Sequence, residues 1–244
     1  MLSLWKRLGR KREEQPFCTA VVPAAGSSAR MEGKDKLLLQ LGDYPVLART
    51  LRVLEECPFI HEIIVVTRQD LIVPVSQLCQ EYGIEKASQV LSGGETRTLS
   101  VLAGVRGASR EAELIAIHDG ARPFVTRELL EEVITEAARC GAAAPAIPVT
   151  DTIKRSHGGV VEETLDRDTL FAVQTPQVFE AGLIRAALQK AVEDGVNLTD
   201  DCAAVERLGM EVRLTRGDRA NLKITTPADL DLGLGILNGR GELV

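Results

Sequence analysis

The sequence predicts an α/β protein, a mixed but mostly parallel sheet flanked by helices and carrying a projecting β-arm. Apolar runs of strand length alternate with longer stretches at helical spacing, as parallel strands joined by crossover helices require. Runs such as Leu114-Ile-Ala-Ile117 are apolar without interruption, which calls for burial on both faces of the strand. One polar stretch, residues 151–173, breaks the rhythm with a β-like pattern and no helix.

In chain order, the strands are expected at Cys18 to Pro23, Glu62 to Thr67, Lys86 to Leu91, Leu114 to His118, Ala143 to Val149 and Glu211 to Thr215. Helical patterns fall near Pro45 to Glu56, Pro74 to Tyr82, Thr96 to Ala108, Arg127 to Arg139, Ala181 to Glu193 and Thr199 to Leu208. Asn221 to Thr225 reads as strand-like, and Thr226-Pro227 marks a further helix start. Gly158-Gly159 is a hairpin turn signal inside the polar stretch, which makes residues 150–174 a two-stranded arm. Such an arm is marginal alone in water, so it is expected to pack against a second copy of the chain.

With 244 residues and 45% hydrophobic content, the chain can bury a full core without staples. A net charge of -6 supplies no basic field for nucleic acid. Cys18, Cys57, Cys79, Cys140 and Cys202 are scattered, without C-x-x-C pairs or clustered histidines, so neither a disulfide framework nor a zinc site is expected and a reducing cytoplasm fits best. Residues 1–16 are basic, with an apolar patch too short for a secretory signal; they read as a flexible tail rather than a membrane anchor. No stretch reaches the ~18 uncharged apolar residues that a membrane span needs. Residues 17–240 are therefore expected to form a single domain.

Four stretches carry the chemistry. Val21-Val-Pro-Ala-Ala-Gly-Ser-Ser-Ala-Arg30, followed by Lys36, is a buried strand running into a loop of small residues. Its bare backbone N–H groups can approach an anion, with Arg30 as a fork and Lys36 as a point charge. It is neither a Walker A loop nor a G-x-G-x-x-G turn. Ser92-Gly-Gly-Glu95-Thr-Arg97 lets the backbone bend, exposes main-chain groups to a flat base edge and opens a helix. His118-Asp-Gly-Ala-Arg122 puts an acid and an arginine just past a buried strand, the rim where open sheets bind ligands. There Asp119 can meet a divalent cation or a hydroxyl, Arg122 can neutralise it, and His118 is expected to point into the core. Finally, Lys223 is a lone cation in the apolar stretch Asn221 to Thr225 and needs an anionic partner.

Pro23-Ala-Ala-Gly26, His118-Asp-Gly-Ala-Arg-Pro123, Asp151-Thr-Ile-Lys154, Thr175-Pro-Gln177, Thr199-Asp200 and Asn221-Leu-Lys223-Ile-Thr225, in this order, closely resemble the 2-C-methyl-D-erythritol 4-phosphate cytidylyltransferase family. The resemblance implies a Rossmann-like nucleotidyltransferase fold and transfer of CMP from CTP to a small polyol phosphate. It implies Mg²⁺ or another divalent cation as cofactor, and a homodimer through the β-arm. Arg30, Lys36, Arg167 and Lys223 would be catalytic. Ala24, Ala25, Gly26, Gly94, Glu95, Ser100, Asp119 and Gly120 would bind the nucleotide. Arg122, Thr152, Arg167, Thr175, Thr199 and Lys223 would bind the acceptor, with Arg167 and Thr152 completing the partner's site. Ser27-Ser28-Ala29 and Glu95 depart from the family pattern. A cytidylyltransferase for another polyol phosphate, such as ribitol 5-phosphate, would share the same phosphate-handling residues, and a nucleotide-binding regulatory module is the non-catalytic alternative.

Overall fold

The structure is a computed structural model that describes residues 15–26 and 35–243. Arg30, the Ser27-Ser28-Ala29 departure and all but the last two residues of the basic tail lie outside the described residues. Strands β1 (Cys18–Ala24), β2 (Gln40–Leu41) and β3 (Tyr44–Pro45) lead into helix α1 (Val46–Glu56). Then come β4 (Glu62–Thr67), α2 (Ile72–Glu81), β5 (Ala87–Ser92), α3 (Arg97–Gly107), β6 (Leu114–Ile117), α4 (Arg127–Cys140) and β7 (Ala142–Pro148). A hairpin of β8 (Lys154–His157) and β9 (Val160–Thr164) follows, then β10 (Phe171–Val173) and β11 (Gln177–Glu180). The chain ends with α5 (Ala181–Glu193), α6 (Cys202–Arg207), β12 (Arg213–Arg216) and α7 (Pro227–Arg240).

The main sheet runs β10-β7-β11-β6-β1-β4-β5, with β12 added alongside β7. β1 pairs in parallel with β4 and β6, β4 with β5, and β7 with β12, while β10 and β11 run antiparallel. The chain steps outward from β1 to β4 and β5, then returns to place β6 on the other side of β1. That reversal opens a crevice at the carboxyl ends of β1 and β6, where open α/β sheets receive ligands.

Alternation along the strands explains the layers. Ala20 and Val22 of β1, Ile63 and Val65 of β4, and Leu114 and Ala116 of β6 pack with α1, α2 and α4 on one face. Val21, Ile64, Val66, Ile115 and Ile117 pack with α3, α5 and α6 on the other. Each fully buried isoleucine or valine contributes about 1.5–3 kcal/mol, so uninterrupted apolar strands are stable only with both faces covered. Helix α3 approaches most closely at Gly104, where a Cβ would stand 2.4 Å from Val21 Cγ1. Helix α7 starts as its sequence directs: Pro227 occupies the first turn, and Asp229 accepts from the backbone N–H of Thr226 at 2.8 Å.

Two sequence expectations need correction. Asn221 to Thr225 is not a strand but a loop, because its donors go sideways: the Ile224 N–H reaches Ala121 O at 2.8 Å and the Asn221 amide reaches Thr175 O at 2.9 Å. Residues 177–180, left without an element by the periodicity, form β11 between β6 and β7. The expected hairpin is present, turning at Gly158 and Gly159 with positive φ of 56° and 81°, and both of its strands are exposed throughout.

Candidate active site

Four loops meet at the carboxyl ends of the parallel strands. The Ala24–Gly26 turn leaves β1 and abuts the Gly93-Gly94 turn after β5. A Cβ on Gly93 would meet Ala25 Cβ at 3.0 Å and Ser100 Oγ at 2.6 Å, so the contact requires glycine there. Ser100, buried on α3, clamps this turn: its hydroxyl accepts from Gly94 N–H at 3.1 Å and lies 3.0 Å from Thr96 O. Thr96 caps α3 by accepting from the Leu99 N–H at 3.1 Å. The predicted nucleotide-side residues Ala24, Ala25, Gly94 and Ser100 therefore share one neighbourhood, with Gly26 and Glu95 exposed beside them.

The second half of the site is built around Asp119, just past β6. The His118 and Gly120 N–H groups bond to Val21 O and Pro23 O at 2.9 and 3.2 Å, which extends the β6 pairing with β1 and fixes the turn. His118 is fully buried; its Nε2 lies 3.2 Å from Arg122 O, a pure acceptor, so Nε2 carries the proton. Nδ1 then accepts from the Thr175 hydroxyl at 3.1 Å, and that hydroxyl accepts from the Asp119 N–H at 3.1 Å. Burial pushes the His118 pKa down to about 4, so the ring is neutral and structural. Thr175, expected to bind acceptor, thus commits its hydroxyl proton to His118 and uses its hydroxyl oxygen to hold the Asp119 turn.

Asp119 is the electrostatic hub. Its carboxylate lies 2.7 Å from Lys223 Nζ, 3.6 Å from Arg122 Nε and 4.0 Å from Arg97. Burial pushes the carboxyl up, but the Lys223 ammonium, with Arg97 and Arg122, outweighs it and holds the pKa at about 2. Arg122 also donates to Asn221 O at 2.7 Å, tying the Lys223 loop to the Asp119 turn. Lys36 Nζ donates to Ile224 O at 2.8 Å, so residues 188 apart in sequence meet on the loop that carries Lys223. A cavity of about 140 Å³ opens here, lined chiefly by Arg97, Asp119, Arg122, Thr175, Thr199 and Lys223.

Two predicted residues stand apart within one chain. The Arg167 guanidinium donates to Thr150 O at 3.1 Å on the exposed arm, and Thr152 is exposed as well; neither lines the cavity. Sequence reasoning passed over Arg97 and Asp201, which form a two-pronged ion pair at 2.9 and 2.6 Å. Their separation of 104 residues leaves no local signal; the one hint is an arginine placed directly after a glycine turn and a threonine cap.

The carboxylates of this region do not make a cage for a resident divalent cation. Asp119 is committed to three cations, Asp201 to Arg97, and both oxygens of Asp200 accept from Gln177 and from the Ala203 N–H. Among the described residues no cluster of three or more acidic, histidine or cysteine side chains has metal-binding geometry.

A three-layer α/β fold with a cation-rich cavity at the carboxyl end of β6 is the frame of a nucleotidyltransferase, and comparison with known proteins makes the class specific. The sequence model of the 2-C-methyl-D-erythritol 4-phosphate cytidylyltransferase family (IspD) matches residues 18–238. A 2-C-methyl-D-erythritol 4-phosphate cytidylyltransferase from Halalkalibacterium halodurans is 42% identical over 220 residues, covering 90% of this chain and 96% of that protein. One from Dehalococcoides mccartyi is 44% identical over 212 residues, covering 86% and 92%. The crystal structure of 4-diphosphocytidyl-2C-methyl-D-erythritol synthase from Anaerococcus prevotii superimposes with a TM-score of 0.82 at 30% identity, covering 92% of this chain and 97% of that one. The chain belongs to the 2-C-methyl-D-erythritol 4-phosphate cytidylyltransferase family.

Proposed function

We propose that this chain transfers CMP from CTP to 2-C-methyl-D-erythritol 4-phosphate, forming 4-diphosphocytidyl-2-C-methyl-D-erythritol and pyrophosphate for isoprenoid biosynthesis. The observation that carries the reading is the convergence of Lys223, Arg122, Arg97 and the Lys36 loop contact on one sheet end, in a chain that matches the family from residue 18 to 238. A site that joins two polyanions must first neutralise them, and this cluster is suited to that task.

An acceptor phosphate oxygen attacks the α-phosphorus of CTP in line, the bond from that phosphorus to the oxygen bridging the β-phosphorus breaks, and pyrophosphate leaves. The acceptor phosphate is ionised at neutral pH, so no side chain has to serve as nucleophile, and catalysis rests on positioning and charge. Ala24, Ala25, Gly26, Gly94, Glu95, Ser100 and Gly120 hold the nucleotide in this reading. Arg30 and Lys36 stabilise the charge that develops on its phosphates. Lys223, Arg122 and Thr199 hold the acceptor. A divalent cation would be supplied as part of the CTP complex and would help neutralise the phosphates, since the acidic side chains here are already engaged. Asp119 keeps Lys223 and the two arginines aligned through its own ionised carboxylate.

We also propose that the hairpin arm joins two copies of the chain, so that Arg167 and Thr152 reach the partner's cavity. Support comes from the exposure of Val160 and Val161 on the hairpin and of Phe171 on the adjoining β10, apolar surface that one chain leaves in water. Among the described residues no helix is long and apolar enough to cross a membrane. Five unpaired thiols support a cytoplasmic setting.

Pyrophosphate release on mixing the protein with CTP, Mg²⁺ and acceptor tests the reading. The highest kcat/KM is expected with CTP and 2-C-methyl-D-erythritol 4-phosphate. Preference for ribitol 5-phosphate would overturn the acceptor assignment, and no release with any pair would overturn the reaction.

A further inference from the structure

We propose that Arg97 is a catalytic residue of this site that grips the acceptor phosphate, and that the buried carboxylate of Asp201 is its positioning residue. The proposal rests on the CMP-transfer reading for the identity of the acceptor. Arg97 is the first residue of α3, its backbone fixed by the Thr96 cap, and its guanidinium crosses to Asp201 with NH1 at 2.9 Å and NH2 at 2.6 Å. This paired contact sets the plane of the fork and leaves three of the five N–H donors for other partners.

The pair is asymmetric. The Asp201 side chain is 1% exposed, whereas that of Arg97 is 33% exposed at the cavity wall. A purely structural pair would hide both ends; here the anion is hidden and the cation faces the opening. Burial disfavours the Arg97 charge, but Asp201 outweighs it and raises the guanidinium pKa above its ordinary value, so the fork is charged at any working pH.

The anchor is itself bolted to the sheet. Gln177, buried on β11, accepts from the Asp201 and Cys202 N–H groups at 2.9 and 3.0 Å and donates to Asp200 at 2.9 Å. Lys223 is committed to Asp119 at 2.7 Å, and Arg122 to Asn221 O with its Nε buried. Arg97 thus joins Arg122 and Lys223 at the cavity wall with three donors still to offer, enough for a planar, two-point grip. The cavity is walled by Arg97, Asp119, Arg122, Thr175 and Thr199 rather than by the Ala24–Gly26 and Gly93-Gly94 turns assigned to the nucleotide, which points to the acceptor.

The test compares kcat and KM for both substrates in the parent and in Arg97→Ala, Arg97→Lys and Asp201→Asn, with thermal melts to confirm folding. Arg97→Ala is expected to raise the acceptor KM about 10- to 100-fold, the worth of a charged hydrogen-bonded contact, with the CTP KM held within about twofold. Arg97→Lys restores charge without the fork and falls between. Asp201→Asn keeps the arginine but loosens it, and also raises the acceptor KM. An unchanged acceptor KM in folded Arg97→Lys and Arg97→Ala, or a rise in the CTP KM instead, would overturn the proposal. If the parent turns over no CTP, the transfer reading falls, and titration with inorganic phosphate decides Arg97 separately. Weaker phosphate binding in Arg97→Lys and Asp201→Asn sustains the grip, and equal binding overturns it.

Discussion

Asp119 is 8% exposed and meets three cations of its own chain, whereas Val160 and Val161, on the hairpin some forty residues later, are 70% and 56% exposed and meet nothing comparable. At the sheet end, buried hydrogen bonds among His118, Thr175, Asn221 and the Asp119 N–H fix the Asp119 turn and the start of the Lys223 loop. On the hairpin, two strands pair only with each other and present every side chain to solvent. The difference teaches that one chain can hold a buried charge cluster in place by itself, while a two-stranded hairpin whose strands pair only with each other is left exposed.

Removing charge from the rim should do the most damage. Lys36→Ala is expected to cut turnover on the order of 10²–10³, as loss of one charge-stabilising donor does, without moving the thermal midpoint by more than a few degrees. Stopped-flow pyrophosphate release beside a melt checks it; near-parental turnover would break the assignment of Lys36 to the reacting phosphates.

Acid should separate the regions next. His118 has a folded pKa of about 4 against an ordinary value of 6.5, so the folded state resists a proton that the unfolded chain accepts. Its stabilising contribution is complete above pH 6.5 and is lost as pH falls from 6.5 toward 4, up to about 3 kcal/mol for a shift of that size. His118→Gln should flatten that part of the curve relative to the parent when urea unfolding is measured at pH 7 and pH 4. Substitutions on the hairpin should leave the curve unchanged.

The arm should matter only across chains. Arg167→Ala is expected to lower turnover about tenfold, the worth of one charged contact. Mixing it with Lys223→Ala, under conditions that let protomers exchange, should raise activity above the mean of the two variants measured separately, because one site of the mixed dimer keeps both residues. Lack of recovery with confirmed exchange would confine the arm to a structural role.

The layers were legible in the sequence because burial on both faces leaves a plain mark: Leu114 to Ile117 and Glu62 to Thr67 are strands where apolar runs placed them. Short elements and long-range pairs were not. β11 has four residues after a proline, too few to show a period, and its place between β6 and β7 is fixed by tertiary pairing. Asn221 to Thr225 has the composition of a strand, but its backbone docks on the Asp119 turn, so its apolar residues mark a buried loop. Asp119, Arg122 and Lys223 could be singled out one by one as charges at strand ends or in apolar surroundings. The Arg97–Asp201 pair could not, since only the fold brings those residues together.

The most direct test of the central claim, that cations far apart in sequence converge on the reacting phosphates, is a crystal structure with CTP and Mg²⁺ bound. The account predicts phosphate oxygens within hydrogen-bonding reach of Arg30 and Lys36, with the α-phosphorus turned toward the Lys223 and Arg97 cavity. A nucleotide bound with its phosphates directed away from Asp119, and these cations facing separate regions, would contradict it.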